Sequence, residues 1–207
     1  MWLFEVNRDL VAVRLPDVIC SWPGHVPCAA DTVLLRRLCV LVFIEHATRR
    51  MHAGGVTSDP AGQWTVPQAR NLALTPGRRF QDIRFLLRDR GPNFTASFDA
   101  VVQATGTTIL VSAVQAPRAN ATRGRLTGTL RREVPGRMLI LGERHLRAVL
   151  TEYQVHYNTA RPHQGIAQRV PDDEPDTAHA TPADIDRQQI RRKPVLGGLI
   201  NEYTHAA

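Results

Sequence analysis

Residues 38–44 read LCVLVFI, seven apolar residues with no polar break. The run falls far short of the roughly 20 residues that a membrane-crossing helix needs. Its length and its bulky, partly β-branched composition are those of a strand buried on both faces. Such a strand needs structure above and below it, so the expected architecture is a sheet with helices on its faces.

The rest of the chain supplies those elements. Residues 50–57 follow a turn at 47–49 and are expected to pair with the first strand. Asp59-Pro60 offers an N-cap followed by proline at the first helical position, opening a helix to about Leu74. Pro67 lies inside it and is expected to kink or shorten it, at about 3 kcal/mol. DIRFLLR (82–88) reads as a second buried strand, and Phe94, Phe98, Val101 and Val102 are spaced for a helix ending at Gly106. A short strand at 107–111 follows, then a polar, arginine-rich helix at 119–133. An amphipathic helix at 143–159 carries Leu146, Val149, Leu150, Tyr153 and Tyr157 on one stripe and is stopped by Pro162. This order predicts a mixed α/β sheet flanked by helices. Residues 1–30 show no period and carry Pro16, Pro23 and Pro27, so they read as an irregular segment before a core at 31–165. Residues 166–207 form a C-terminal tail in which Gly197-Gly198, between apolar pairs, suits a tight hairpin or a flexible end equally.

Composition narrows the function classes. Hydrophobic residues make up 43% and charged residues 22%, as in folded soluble domains. Trp2, Leu3 and Phe4 are followed at once by Glu5, Arg8 and Asp9, which leaves no apolar core for a secretory signal, so a cytoplasmic, nucleoid-associated location is expected, with no membrane. Cys20, Cys28 and Cys39 form no C-x-x-C pair, and a zinc site from Cys20, His25 and Cys28 lacks a fourth ligand. The net charge of +7 attracts anionic partners, of which nucleic acid is the commonest, and a solvated basic surface gives the same number. Every cation except Lys193 is an arginine, whose paired N–H donors suit phosphate.

FLLRDRGPNFT (85–95) places Asp89 after a buried strand and before a glycine turn; by itself this is a turn or cap former as readily as a catalytic acid. The D-R-G-x-x-F within it resembles the second carboxylate motif of the integrase-type transposases of bacterial insertion sequences, a ribonuclease-H-like family. APRANATRGRLTGTLRRE (116–133) is similar to that family's third motif. YNTARPH (157–163) is similar to the sequence that closes its core, and RRKPVLGGLINEY (191–203) to the tail of one group. The resemblance implies a catalytic core in which two Asp and one Glu hold two Mg²⁺ or Mn²⁺ ions for DNA strand transfer. It implies DNA, both element ends and target, as partner, and allows a homo-oligomer. Arg118, Asn120, Arg123, Arg125, Arg131 and Arg132 are the implied DNA contacts, with a charged helix face as the plain alternative.

Two departures qualify the implied chemistry. The family's Glu follows the third-motif Asn by four residues, and four after Asn120 stands Gly124. Glu133, nine residues further on, lies roughly 13 Å along the helix and reads as a surface charge. The first Asp is also displaced: its position matches Val26, and Asp31 is the fallback catalytic and metal-binding candidate beside Asp89. Impaired catalysis is therefore expected, with a DNA-binding remnant that interferes with intact transposase as the alternative.

Overall fold

The computed structural model describes residues 9–14, 30–33, 36–74, 83–88, 90–112, 117–173 and 190–205; within these, 9–14, 30–31, 117–123 and 205 are described by their backbone alone. Eight strands and four helices follow one another as β1 (Asp9–Arg14), β2 (Ala30–Asp31), β3 (Arg37–Glu45), β4 (Met51–Thr57), α1 (Gly62–Leu74), β5 (Phe85–Arg88), α2 (Ala96–Gln103), β6 (Thr108–Val111), α3 (Pro117–Glu133), α4 (Glu143–Thr159), β7 (Ile190–Val195) and β8 (Ile200–His205).

The main sheet runs β4-β3-β1-β5-β6, with β2 added at the start of β3. Strand β3 runs antiparallel to both β1 and β4, whereas β1, β5 and β6 are parallel. One expectation is corrected here. Residues 1–30 are not wholly irregular, because β1 lies in the middle of the sheet, between β3 and β5. The segment DLVAVR has too little alternation and too short an apolar run to announce a strand by itself, and the neighbours on both sides supply its hydrogen bonds.

Strand β3 is buried on both faces, as its composition requires. Leu38, Val40, Val42 and Ile44 face one cluster with Leu126 and Leu130 of α3 and Leu146, Val149, Leu150 and Tyr153 of α4. Leu41 and Phe43 face the other, with Ala69 and Leu72 of α1 and Phe98 and Val102 of α2. Helices α1 and α2 thus cover one face and α3 and α4 the opposite one. The period-two alternation of a strand is what divides a continuous apolar run between two cores.

The helix boundaries hold to within about three residues, with α2 confined to Ala96–Gln103 inside the expected 94–105 and α3 beginning at Pro117 rather than 119. Asp59-Pro60 precedes α1 by two residues and does not cap it; the Asp59 N–H instead meets Thr57 Oγ1 at 3.1 Å. The helix continues through Pro67, because Pro67 and Gln63, whose carbonyl loses its partner, are both exposed to water. Thr95 caps α2, accepting from the Phe98 N–H, and Gly106 ends it at φ +85°. The end of the chain takes the hairpin alternative: β7 and β8 pair through a turn in which Gly197 and Gly198 have positive φ. Val195 and Leu196 carry that hairpin into the core, and Glu152 Oε1 of α4 accepts from the Leu196 N–H at 2.6 Å.

Candidate nucleic-acid interface and the question of a metal cleft

The parallel strands β1 and β5 end at the same edge of the sheet, the edge at which open α/β sheets gather their ligands. The frame at the end of β5 is tightly held. Arg88 makes a two-pronged bond to Asp99 of α2, at 2.8 and 2.6 Å, and its carbonyl accepts from the Ser112 N–H at 2.8 Å. Arg90 Nε donates to the Ser112 carbonyl at 3.3 Å. Asp89, between them, lies outside the described residues.

Among the described residues no set of metal-holding acids converges there. The C-terminal end of β1 reads Ala12-Val13-Arg14, with no acid. Asp31 pairs with Arg37, whereas Val11, the neighbour of Leu87 in β5, pairs with Ile44. Those two positions on β3 are roughly 20 Å apart at about 3.3 Å per residue. Asp31 is thus remote from the end of β5, while two metals that share a phosphate sit only about 4 Å apart. Gly124, on the second turn of α3, is exposed and offers no ligand; a Cβ built on it meets nothing within 4 Å. Asp99 is engaged by Arg88, and among the described residues no three Asp, Glu, His or Cys side chains are grouped to hold a metal. The described residues therefore do not fit a two-metal centre.

Helix α3 is built differently. Its core stripe carries Leu126, Leu130 and the following Val134. Residues 118, 125 and 132, seven apart, share a second stripe, all three arginine, and Arg125 and Arg132 are exposed. Asn120, Gly124 and Arg131 fall on a third stripe. The side chains of Arg118, Asn120 and Arg123 lie outside the described ones. Backbone periodicity alone thus places three of the expected DNA contacts on one line along the helix.

Glu133 is not the surface charge its neighbours suggest. It accepts from Tyr153 Oη at 2.6 Å and from Arg161 Nη2 at 2.8 Å, and is half-buried. Burial opposes its charge, yet these two hydrogen bonds and the Arg161 charge hold its carboxyl below the usual range. Burial and the Glu133 hydrogen bond push the Tyr153 hydroxyl far up, so it stays a neutral donor.

The YNTARPH segment proves to be a set of braces. Asn158 is buried and clasps Met51, its Oδ1 accepting from the Met51 N–H and its Nδ2 donating to the Met51 carbonyl, both at 2.9 Å. Gln154 Oε1 takes the Ala53 N–H at 2.6 Å, so α4 satisfies the free edge of β4. Arg161 stacks on Tyr157, and Tyr157 on His163 with ring centres 4.6 Å apart. His156, with no sequence-adjacent partner, meets Glu202 of β8 at 2.9 Å. No spacing rule could have found these long-range pairs.

A pocket of about 160 Å³ opens where α3, α4 and the β3–β4 turn meet, with Arg49, Arg125 and Arg161 in its wall. Sequence reasoning read Arg49 only as part of a turn and Tyr157 only as part of a helix stripe and of YNTARPH, although the doubled arginine at the turn is a visible basic feature.

Comparison with known proteins bears on this half of the chain. Residues 105–171 match the family model of the integrase core domain. The matched segment begins just before β6, spans α3 and α4, and contains both the arginine stripe and the braces. Over the whole fold the chain resembles the catalytic core domain of BIV integrase, with a TM-score of 0.53 at 15% identity, covering 80% of this chain and 91% of that one. The fold is accordingly ribonuclease-H-like. No curated protein matches the chain. No helix among the described residues is long and apolar enough to cross a membrane.

Proposed function

We propose that this chain is a DNA-binding core of the integrase and transposase type, derived from a mobile element, in which metal-dependent strand transfer is weak or lost. The observation that carries the reading is the match of residues 105–171 to the integrase core domain, the segment that bears a basic helix with glycine where the resemblance calls for a catalytic Glu. Arginines 118, 125 and 132 on one stripe of α3 would hold the DNA backbone, fixing the position of the duplex without reading its sequence. Of the three carboxylates that the resemblance implies, Asp89 would be the one retained. A single carboxylate is a poor holder of two Mg²⁺ or Mn²⁺ ions beside a negative phosphate. The remaining function would be DNA occupancy in the cytoplasm, at the nucleoid. An alternative role for the same surface is interference with intact copies of the element, by covering their ends or by pairing with their subunits; Gly124 favours this over an active enzyme.

The test is a strand-transfer assay on element-end DNA with Mg²⁺ or Mn²⁺, run beside a binding assay on the same duplex. Binding without joining is expected. Efficient joining would overturn the impairment, and absence of any salt-sensitive DNA binding would overturn the whole reading.

A further inference from the structure

The pocket between α3, α4 and the β3–β4 turn has a composition that structural bracing does not require. Arg49, Arg125, Arg161 and His163 all line it, and none of its lining residues is acidic. Arg161 is balanced from behind by Glu133. Arg49 and Arg125 face one another closely enough that burial first, and then the Arg125 charge, hold the Arg49 guanidinium below its ordinary pKa. A wall with three arginines and no acid suits an oxyanion, since the guanidinium fork matches the oxygens of phosphate.

Two further features point the same way. Arg49 has φ +65°, a left-handed conformation that an arginine adopts at a cost and a glycine does not. A side chain kept at such a position is kept for its head group. His163 Nε2 is buried and has no hydrogen-bond partner, while a bond to the Tyr157 backbone occupies the other side of the ring. A polar atom left so is a place for a ligand oxygen or its water. The site is also distinct from the end of β5. Thr129 lines it, and Thr129 lies about 140° around α3 from Gly124 at roughly 100° per residue.

We propose that this pocket binds a phosphoryl oxyanion, held by Arg49 and Arg125 against Arg161 and His163. The occupant is either a backbone phosphate of DNA, which rests on the DNA-binding reading and would carry it from Arg125 on the α3 stripe to the β3–β4 turn, or a free phosphate, which would not depend on that reading.

The test uses the full chain and inorganic phosphate, with chloride at equal ionic strength as reference. The expected result is a saturable, one-to-one rise in Tm with phosphate. Arg125→Glu, at an exposed position, should weaken phosphate binding roughly 10- to 100-fold, the loss of a charge-assisted contact. Arg49→Gly should abolish the phosphate-dependent rise while leaving the Tm without phosphate no lower. Arg144→Glu, the same charge change on exposed α4 outside the pocket, should leave phosphate binding intact. A second titration with a short DNA duplex separates the sources. Competition by phosphate, with Arg49→Gly weakening both ligands, supports the DNA backbone as occupant; weakening of phosphate alone by Arg49→Gly supports a free anion. No saturable phosphate effect, or an equal loss in Arg144→Glu, would overturn the pocket while leaving DNA binding by the rest of α3 unaffected.

Discussion

The two ends of helix α3 were shaped by different demands. Its C-terminal end is over-determined: Glu133 engages Tyr153 and Arg161, and the α4 segment beyond holds Met51, Ala53 and Leu196 by their main-chain groups. Its N-terminal half meets a sheet edge at which the described strands offer Ala12, Val13 and Arg14 and where Gly124 presents no side chain. Packing and polar satisfaction keep a fold standing whether or not it does chemistry, whereas a metal cleft needs acids that stability does not reward. The contrast teaches that the frame of an integrase-like core is separable from its reactive centre.

The sharpest way to break this comparison is Asn158→Leu. It strands the buried N–H and carbonyl of Met51, and a loss of about 2–4 kcal/mol is expected by urea denaturation. A loss below about 0.5 kcal/mol would show that the braced end is not braced. Next comes Glu133→Ala, expected to cost about 2–3 kcal/mol because Tyr153 and Arg161 both lose their acceptor. Its pH dependence has a definite sign. The folded carboxyl lies below its ordinary value of 4.5, so the contribution is fully present above that pH and is lost as pH falls through the lowered folded value. The gap between wild type and Glu133→Ala should therefore close in acid, and a gap that widened there would contradict the assignment.

Smaller effects probe the other end of the helix. Arg132→Ala should weaken duplex binding a few-fold and reduce the slope of log K against log salt by about 0.9, the signature of one phosphate contact. An unchanged slope would remove Arg132 from the interface. The smallest change in stability is expected for Gly124→Glu: nothing blocks the side chain, and replacing a helical glycine should raise stability by about 0.5 kcal/mol. Strand transfer should stay absent in this variant, because β1 ends without an acid. Activity regained from this one substitution would mean that the reactive centre lacks only its Glu.

Much of the frame was legible in the sequence because it is written in local patterns. The two-faced burial of β3 follows from residues 38–44 and the span of α4 from its stripe, whereas Gly197-Gly198 left a hairpin and a flexible end open, of which the structure takes the first. Strand β1 was not legible, since a short segment just ahead of Pro16 becomes a strand only when β3 and β5 stand on either side of it. Within the candidate interface, the arginine spacing 118-125-132 could be read directly. The partners of Glu133, Asn158 and His156 could not, because each contact joins residues far apart in the chain and leaves no periodic trace. Offsets counted within one assumed strand could not anticipate that Asp31 pairs at the start of β3 while β1 occupies the centre of the sheet.

The treatment of β4 carries one last consequence. With Gln154 and Asn158 consuming its outward amides, that margin of the sheet is sealed from within. Strand β6 ends the opposite margin, with Leu110 and Val111 at 40% and 45% exposure. Among the described strands, β6 is the margin without a further strand partner, so a strand added by a neighbouring chain would be added there.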